Sequence, residues 1–310
     1  MKRTLVGAVA VLALAGTSAA TAADMPLKAP APAVVEAFSW TGFYVGLNAG
    51  GFWGEGGQGF FIDDSLGRYY TFGAGQAANI AQVMFIGNLP VKNSGFTGGG
   101  QIGVNYQAGP WVLGLEADLN WFNPSATFTR NSFLPPPAFA LPGPVPVPFT
   151  ITDSTSGDWL ATYRFRAGIR PFHNLMIYGT AGGAVAHVNL TSSYADFTTC
   201  PPQISCALRA NINTTQNAWG FAGGGGAEWM FAHNWSFKAE WIFVSVKGSD
   251  VSTLALPTGG TIPTAAQCPP GGGATGFCSI FHYRPQFLEN IVRVGVNYHF
   301  DWGGPVVAKY

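Results

Sequence analysis

The stretch from Asn290 to Phe300 constrains the fold of this chain more than any other; it reads N-I-V-R-V-G-V-N-Y-H-F. Every second residue from Val292 to Phe300 is apolar or aromatic, and Arg293 and Asn297 lie between them. Successive side chains of a β-strand point to opposite faces, so this alternation predicts a strand with one apolar side and one polar side. The fold must therefore offer this strand two different environments.

The N-terminus has the pattern of an export signal. It begins with Lys2 and Arg3, continues with an apolar run from Leu5 to Ala15 and ends in small residues up to Ala23. The pattern predicts a cleaved secretory signal peptide over residues 1–23. An N-terminal membrane anchor is the alternative, but the apolar run is too short to span a bilayer as a helix.

The composition restricts the class of the exported chain. Charged residues make up 10% of it, against about 25% in a usual soluble domain. Removal of Lys2 and Arg3 changes 15 basic against 15 acidic residues to 13 against 15, and this near-neutral balance argues against a nucleic-acid partner. Beyond the signal there is no run of 18 apolar residues, which excludes helical membrane spans. A transmembrane β-barrel remains as the predicted class.

Strand-like alternation recurs along the chain and predicts an all-β fold, an eight-stranded antiparallel transmembrane barrel. The predicted strands are 41–53, 96–107, 111–123, 158–170, 175–190, 217–231, 235–248 and 290–300. Short turns at 108–110, 171–174 and 232–234 alternate with long segments at 54–95, 124–157, 191–216 and 249–286. Short periplasmic turns, four long extracellular loops and an even strand count are typical of outer-membrane barrels.

The segments outside these strands include a leader, a proline-rich loop and a C-terminal tail. Residues 24–40 contain three prolines and no periodicity, and they predict a periplasmic leader before the barrel of residues 41–300. The proline-rich stretch from Pro135 to Pro148 predicts a polyproline-like loop and not a strand, since proline cannot donate to a ladder. Residues 301–310 form a C-terminal tail in this division.

Aromatic spacing supports a membrane location. Trp111 and Trp121 lie on one face of the third predicted strand, ten residues apart. At about 3.3 Å per residue and a tilt near 40–45° they are separated by roughly 23–25 Å in height, close to the apolar band between the aromatic girdles of such barrels. The predicted girdle residues are Trp111, Trp121, Trp159, Trp219, Trp229, Trp235, Trp241, Tyr298 and Phe300.

The charged residues of the predicted strands all lie on the opposite face. They are Glu116, Asp118, Arg164, Arg166, Glu228, Lys238, Glu240 and Arg293. Because a lipid-facing Arg or Lys at mid-membrane costs about 2–4 kcal/mol, this face must line the lumen. Side chains alone can fill an eight-stranded barrel, so the charges predict a plug. An ion path and a catalytic site are the alternatives.

Strand order predicts how these charges pair. Glu116 and Asp118 lie on the neighbour of the strand that carries Arg164 and Arg166, so cross-strand bridges are expected between them. The remaining four charges, on the last three strands, form a second predicted cluster.

The four cysteines fall into two close pairs. Cys200 and Cys206 lie in one predicted loop, and Cys268 and Cys278 lie in another. In an exported protein this predicts two local disulfides. A zinc site is the alternative, but neither pair has the spacing of a zinc ligand set, and no metal site is predicted.

The two ends of the chain resemble a known family. The residues that carry the resemblance are A-D-M-P from Ala23, T-G-F-Y-V-G-L-N-A-G from Thr41 and V-R-V-G-V-N-Y-H-F-D-W from Val292. They resemble the porin-family, opacity-type outer-membrane proteins of alphaproteobacteria, which have the OmpA-like eight-stranded barrel. The resemblance implies a Gram-negative outer-membrane protein with structural and surface-interaction roles and without a cofactor.

We expect a monomer that is embedded in outer-membrane lipid and lipopolysaccharide and contacts host or surface ligands through its loops. A narrow channel for small solutes is the alternative function. A lipid A-modifying enzyme is a third, less favoured hypothesis, with His187, Ser192 and Ser193 as its candidate set. Steady conductance would indicate the channel, and a change in the mass of lipid A would indicate the enzyme.

Overall fold

The computed structural model describes residues 39–63, 76–134, 146–197, 199–200, 204–205, 207–257 and 279–300, and these are nearly all strand. The strands are β1 (Gly42–Asp63), β2 (Val91–Ala108), β3 (Trp111–Phe122), β4 (Ala126–Leu134), β5 (Val147–Phe172), β6 (Leu175–Asp196), β7 (Thr199–Cys200), β8 (Ile204–Ser205), β9 (Leu208–Ala232), β10 (Trp235–Lys247), β11 (Val251–Pro257) and β12 (Ser279–His299). One helix, α1 (Gln76–Gly87), lies between β1 and β2. Within these ranges no helix has the length and apolar character needed to cross a membrane.

Eight strands close into a ring, so the predicted antiparallel barrel is confirmed. The order around the ring is β1, β2, β3, β5, β6, β9, β10 and β12. β12 returns to pair with β1, from Tyr44 opposite His299 to Asp63 opposite Ile280. Short turns join β2 to β3, β5 to β6 and β9 to β10, as the sequence predicted.

The register of the ring fixes the tilt of its strands. A path of directly opposed residues leaves Trp111 of β3, circles the barrel and returns to β3 at Trp121. Eight strands that shift by ten residues in one circuit must tilt by about 40° from the barrel axis. The ten residues between the two tryptophans therefore rise by about 25 Å, the height of a membrane's apolar band.

The four segments predicted as long extracellular loops contain more regular structure than the sequence indicated, because strands and a helix occupy much of their described part. β1 continues to Asp63, β5 begins at Val147, β6 continues to Asp196, β9 begins at Leu208 and β12 begins at Ser279. The elements α1, β4 and β11 are additional. The barrel thus continues on the extracellular side of the band that Trp111 and Trp121 delimit. We call this second part the extension; it comprises residues 57–63, α1, β4, β11, 147–157, 187–196, 208–217 and 279–287.

A bulge in β5 marks the boundary between the membrane-level part of the barrel and the extension. Gly157 pairs with Val188 and Leu160 pairs with Ala186, so β5 has one residue more than β6 at this point. The extra residue reverses which side chains point inward, because successive side chains of a strand alternate. Odd-numbered residues such as Phe149 are buried above the bulge, and even-numbered residues such as Arg164 are buried below it.

The proline-rich stretch is only partly irregular. Pro148 belongs to β5, which contradicts its assignment to a loop, whereas residues 135–145 lie outside the described ranges. Pro148 accepts a hydrogen bond from the Phe197 N–H at 3.3 Å, immediately after β6 ends at Asp196. The Pro148 nitrogen faces the position where the neighbouring strand β6 has ended. The missing N–H of the proline therefore removes no hydrogen bond from the ladder.

The extension encloses an apolar core of its own. It is formed by the buried side chains of Phe60, Ile62, Val83, Leu134, Val147, Phe149, Ile151, Leu190, Tyr194, Leu208, Ala210, Ala255, Phe281 and Tyr283. Among the described residues, β1 has no strand partner beyond Gly56 on the side of β2, and β4 pairs only with β5. The ladder of the extension is therefore open between β1 and β4.

Helix α1 fills this opening. The Asn88 side chain, just after the helix, accepts from the Phe60 N–H at 2.9 Å and donates to the Phe60 carbonyl at 2.7 Å, as a neighbouring strand would. Arg130 of β4 donates to the carbonyls of Ile86 and Leu89 at the end of the helix. Partial burial lowers the pKa of Arg130 from its usual value, and the nearby Asp153 carboxylate acts in the opposite direction.

Candidate functional site: the charged lumen

The eight charged residues predicted for the lumen form one ion-pair network, which we call the lumen network. Each side chain is almost fully buried, and each points into the ring from the membrane-level part of its strand. The members are Glu116, Asp118, Arg164, Arg166, Glu228, Lys238, Glu240 and Arg293. The four acids and four bases leave it without formal net charge.

Arg164 lies at the centre of the network. Its guanidinium contacts Glu116 at 2.6 Å, Asp118 at 2.8 Å and Glu240 at 3.2 Å. The first two contacts are the cross-strand bridges that strand order predicts. The third reaches β10, three places further round the ring. One planar cation with several donors thus joins two distant parts of the wall.

Arg166 extends the network toward the periplasmic end. It contacts Glu116 at 3.2 Å and Glu228 at 2.6 Å. Its guanidinium carbon also lies 4.0 Å from the centre of the Tyr178 ring, within range of a cation–π interaction. Glu228 accepts further hydrogen bonds from Ser236 and Asn297, both at 2.6 Å. Its buried carboxylate therefore has several donors.

Two contacts cross the lumen from the other side. Lys238 of β10 lies 3.0 Å from Glu116 on β3, and these strands are diametrically opposite in the ring. Arg293 binds Asp118 through two parallel contacts of 3.0 Å and also contacts Glu240 at 2.8 Å. The two clusters inferred from strand order are therefore a single cluster, because the narrow barrel brings opposite walls within reach of one another.

Uncharged and aromatic residues complete the network, and sequence reasoning did not select them. They are Tyr44, Gln101, Thr162, Tyr178, Ser236, Asn297 and His299. The Tyr44 hydroxyl donates to Glu116 at 2.7 Å, and a Cβ on Gly103 would lie only 2.4 Å from the Tyr44 ring. All share the inward parity of their charged neighbours, and this was the available signal.

Apolar layers close the lumen above and below the charges. Below them, Trp40 is fully buried with Val112, Met176, Tyr178 and Met230. Its indole N–H donates to the His173 carbonyl at 3.4 Å, so Trp40 belongs to the barrel end and not to an irregular leader. Above the charges, Phe52 and Phe122 pack with ring centres 4.7 Å apart among buried aliphatic side chains. The upper layer also holds the buried carboxyl of Glu289, between Phe287 and Ile291 on β12, which sequence reasoning did not select.

The predicted girdle residues all lie on the outer face. Trp219 and Trp229 of β9 repeat the ten-residue spacing of Trp111 and Trp121, and all four are about half exposed or more. Sequence analysis missed Trp53, which lies ten residues after Phe43 on the same face of β1. Trp241 is only six residues along β10 from Trp235, so it lies inside the band and not at its edge.

The candidate catalytic set does not come together. Ser192 is buried in the interior and donates to Asp153, whereas His187 and Ser193 lie on the outer face. His187 stacks on Trp159 and contacts Asn217 at 2.9 Å and Asp158 at 3.7 Å. The three residues therefore occupy two sides of the wall.

The structure describes little of the two cysteine pairs. Cys206, Cys268 and Cys278 lie outside the described ranges, and only the backbone of Cys200 is described, in β7. The two disulfides remain predictions. Among the described residues, no group of three or more His, Cys, Asp or Glu is arranged to hold a metal ion.

Comparison with known proteins relates the sequence to a family of barrels. Residues 9–300 match the model of the outer membrane protein beta-barrel domain. The chain is 28% identical over 248 residues to the 31 kDa outer-membrane immunogenic protein of Brucella melitensis, a match covering 79% of this chain and 88% of that protein. The protein of the same name from Brucella suis matches to the same extent.

Solved structures of outer-membrane proteins are related more distantly. OprG from Pseudomonas aeruginosa covers 85% of this chain at 11% identity with a TM-score of 0.29, and 99% of its own chain is matched. Ail, the attachment invasion locus protein of Yersinia pestis, covers 82% at 9% identity with a TM-score of 0.27, again with 99% of its own chain matched.

Proposed function

Because this chain belongs to the outer membrane protein beta-barrel domain family, we propose that it is a sealed, monomeric barrel with structural and surface-interaction roles. The outer membrane of a Gram-negative cell is its location. The barrel anchors the chain there, and the extension carries the contacts with other molecules. The lumen carries no solute.

The filling of the lumen is the observation that supports a sealed barrel. Arg164, Arg166 and Lys238 are among the largest fully buried side chains, as are Phe52 and Phe122 in the layer above. A permeating ion would have to displace charges that are each paired within about 3 Å and then pass the closely packed side chains around Phe52 and Phe122. Both steps cost several kcal/mol.

Planar-bilayer recording tests the sealed lumen. The wild-type chain is expected to show no steady conductance, with an open porin as the positive control for insertion and detection. Glu116→Gln, which removes one charge while keeping the size of the side chain, serves as the matched variant. Steady wild-type conductance that this variant alters would support the narrow channel and contradict the proposal.

A surface role is supported by the ordered extension above the band. Rigid scaffolds commonly carry recognition on the parts that project from them. Adhesion to host cells or pull-down of a surface ligand tests this role with a variant that lacks residues 126–134 and a second variant that lacks 251–257. Normal adhesion by both folded variants would count against the extension as the contact region.

The separation of His187 from Ser192 supports a role without catalysis. Incubation of the refolded chain with lipid A, followed by mass spectrometry, tests that point. No mass change is expected, and a change that His187→Ala abolishes would support the enzyme instead.

Two further expectations accompany the proposal. Light scattering in detergent is expected to give the mass of one chain, and a larger assembly would contradict the monomer.

Maleimide is expected to label none of the four cysteines before reduction, and labelling of all four would exclude the predicted disulfides.

A further inference from the structure

The outer surface of the extension has one side formed almost entirely by hydroxyl and carboxamide groups. We propose that this side, formed by β4, β5, β6 and β9, binds the saccharide part of the lipopolysaccharide that surrounds the barrel. We call it the hydroxyl–amide face; its members are outward side chains within residues 127–131, 150–156, 189–193 and 211–217. The inference rests on the proposed surface-interaction role and names a partner and a place for it.

Register places these side chains in rows across four strands. Thr127 of β4 is opposite Ser154 of β5, Ser154 is opposite Thr191 of β6, and Thr191 is opposite Asn213 of β9. Thr127 and Thr191 are exposed, as is Asn213, while Ser154 is half-exposed. Neighbouring strands lie about 4.8 Å apart, so the row is a regular series of polar groups.

A second row runs parallel to the first. Thr129 is opposite Thr152, Thr152 is opposite Ser193, and Ser193 is opposite Asn211. The hydroxyls of Thr129 and Thr152 lie 3.2 Å apart. Contacts of this kind orient the side chains, and each hydroxyl still has capacity to donate or accept elsewhere. The face is thus a pre-oriented grid and not a set of independent rotamers.

The chemistry of the grid matches a neutral saccharide. Hydroxyl and carboxamide groups both donate and accept hydrogen bonds, as sugar hydroxyls do. The two rows contain no ionisable side chain; Arg209 lies above them, and the Asp158 carboxylate at their lower margin accepts from Asn189 at 3.2 Å. Rows without charge neither attract a charged partner by long-range forces nor leave a charge unpaired on binding. An oligosaccharide fits these properties better than an acidic or basic protein surface.

The opposite side of the extension differs in chemistry. It exposes Arg284 and Phe61, with Phe85 on the neighbouring helix α1, and the Asp250 carboxylate lies 3.0 Å from His282 Nδ1. Charged and aromatic side chains therefore do occur on the outer surface of the extension. Their absence from the two rows is a property of one side and not of the whole extension.

Continuity with the membrane identifies the source of the saccharide. On β9 the outward residues run from Asn211 through Asn213 to Asn217, and Trp219 of the aromatic girdle follows directly. Trp159, which His187 stacks on, lies at the same junction of β5 and β6. The face therefore starts where the lipid-facing surface ends, at the height where the sugars of neighbouring lipopolysaccharide begin.

A matched pair of double variants tests the inference. Thr191→Ala with Asn213→Ala removes one hydroxyl and one carboxamide from the face. Ser94→Ala with Gln286→Ala removes the same two groups from outward positions of β2 and β12 on the opposite side. Both variants and the wild-type chain are refolded and checked by the mobility of the unboiled band. Asn213→Ala alone replaces the first variant if that variant does not fold.

Two probes are used: saccharide released from lipopolysaccharide, and nanodiscs of lipid A compared with nanodiscs of full lipopolysaccharide. NMR saturation transfer is expected to show that the released saccharide binds the wild-type chain. Its affinity for the face variant is expected to be about tenfold lower or lost, and its affinity for the opposite-side variant is expected to be unchanged. Full lipopolysaccharide is expected to raise the unfolding temperature of the wild-type chain above its value in lipid A, and the face variant loses that gain.

Three results would overturn the inference: no binding of the saccharide, equal weakening by both double variants, or binding without any difference between the two kinds of nanodisc. The last would assign the face to a saccharide from another source. None of them bears on conductance, so the sealed barrel is judged separately. Steady conductance would refute the sealed barrel without changing the saccharide result.

Discussion

The membrane band and the extension are formed by the same strands with opposite polarity. Along β9, the outward residues change from Asn211, Asn213 and Thr215 in the extension to Trp219 and Phe221 in the band. Inward residues change in the other direction, from Leu208 above to Glu228 below. The hydrogen-bonded ladder continues without a break through this reversal. The surroundings of each part, lipid around the band and water around the extension, therefore determine which side chains point outward. The strand geometry is the same in both parts.

The reversal also explains why the interiors of the band and the extension contain different side chains. In the band, lipid takes the apolar side chains on the outside, and the narrow interior is left for groups that must pair with each other. In the extension, water surrounds the wall, and the interior gathers an apolar core like that of a soluble domain. Substitutions in the band and in the extension test this contrast, and we expect the largest effect at the β5 bulge.

Deletion of Asp158 is expected to have the largest effect. It removes the extra residue of the β5 bulge, so residues above it must exchange faces, with Phe149 and Ile151 turning outward. We expect loss of the folded band on an unboiled gel, or loss of protease resistance in the extension. Asp158→Ala keeps the bulge and is the control. A deletion variant with wild-type resistance would refute the role of the bulge.

Arg164→Ala is expected to cost about 3–5 kcal/mol of unfolding free energy, because it leaves three buried carboxylates without their shared cation. Urea titration in lipid vesicles measures the loss. Arg284→Ala removes the same side chain from an exposed position of the extension and is expected to stay within about 0.5 kcal/mol. Equal losses would mean that the lumen network does not stabilise the barrel.

Leu115→Arg tests the outer face of the band. Leu115 is outward and lies close to the midpoint between Trp111 and Trp121, so an arginine there should cost about 2–4 kcal/mol. Ser252→Arg makes an outward change in the extension and should cost no more than about 0.5 kcal/mol. The same urea titration compares them. A smaller cost at Leu115 than at Ser252 would place the lipid boundary elsewhere.

Asn88→Ala is expected to have the smallest effect, about 1–2 kcal/mol, and to act locally. It removes both hydrogen bonds that join the end of α1 to Phe60. Amide exchange should become faster in α1 and at the free edge of β1 and remain unchanged in the band. Asn123→Ala, at an exposed position between β3 and β4, is the control. Unchanged exchange in α1 would show that packing alone holds the helix.

The band could be predicted from the sequence because lipid imposes a strict rule on it. No outward position between Trp111 and Trp121 carries a charge, and Glu116 and Asp118 take the inward parity, so strand, face and lumen follow together. The pairing partners across the barrel could not be predicted. Lys238 reaches Glu116 only because their strands lie opposite one another in a narrow ring.

The extension was missed because its signals resemble those of loops. Threonine and serine at outward positions of β5, with glycine at the bulge and proline at its start, look like irregular structure in a chain whose other strands are apolar outside. The inward residues Val147, Phe149 and Ile151 do alternate, but in the odd parity, and the bulge hides their continuity with the strand below. Helix α1 has no charged residue, and contacts from Asn88 and Arg130 hold its end.

The most direct measurement of the polarity reversal is the accessibility of nitroxide labels along the outer face of β9. In a chain whose cysteines are replaced by serine, single labels are placed at Asn211, Asn213, Phe221 and Ala227 and exposed to oxygen and to a water-soluble nickel chelate. We predict that the first two labels respond to the chelate and the last two to oxygen, with the change between Asn217 and Trp219. A label at Asn211 or Asn213 that responds as if in lipid, or one at Phe221 that responds as if in water, would contradict the account.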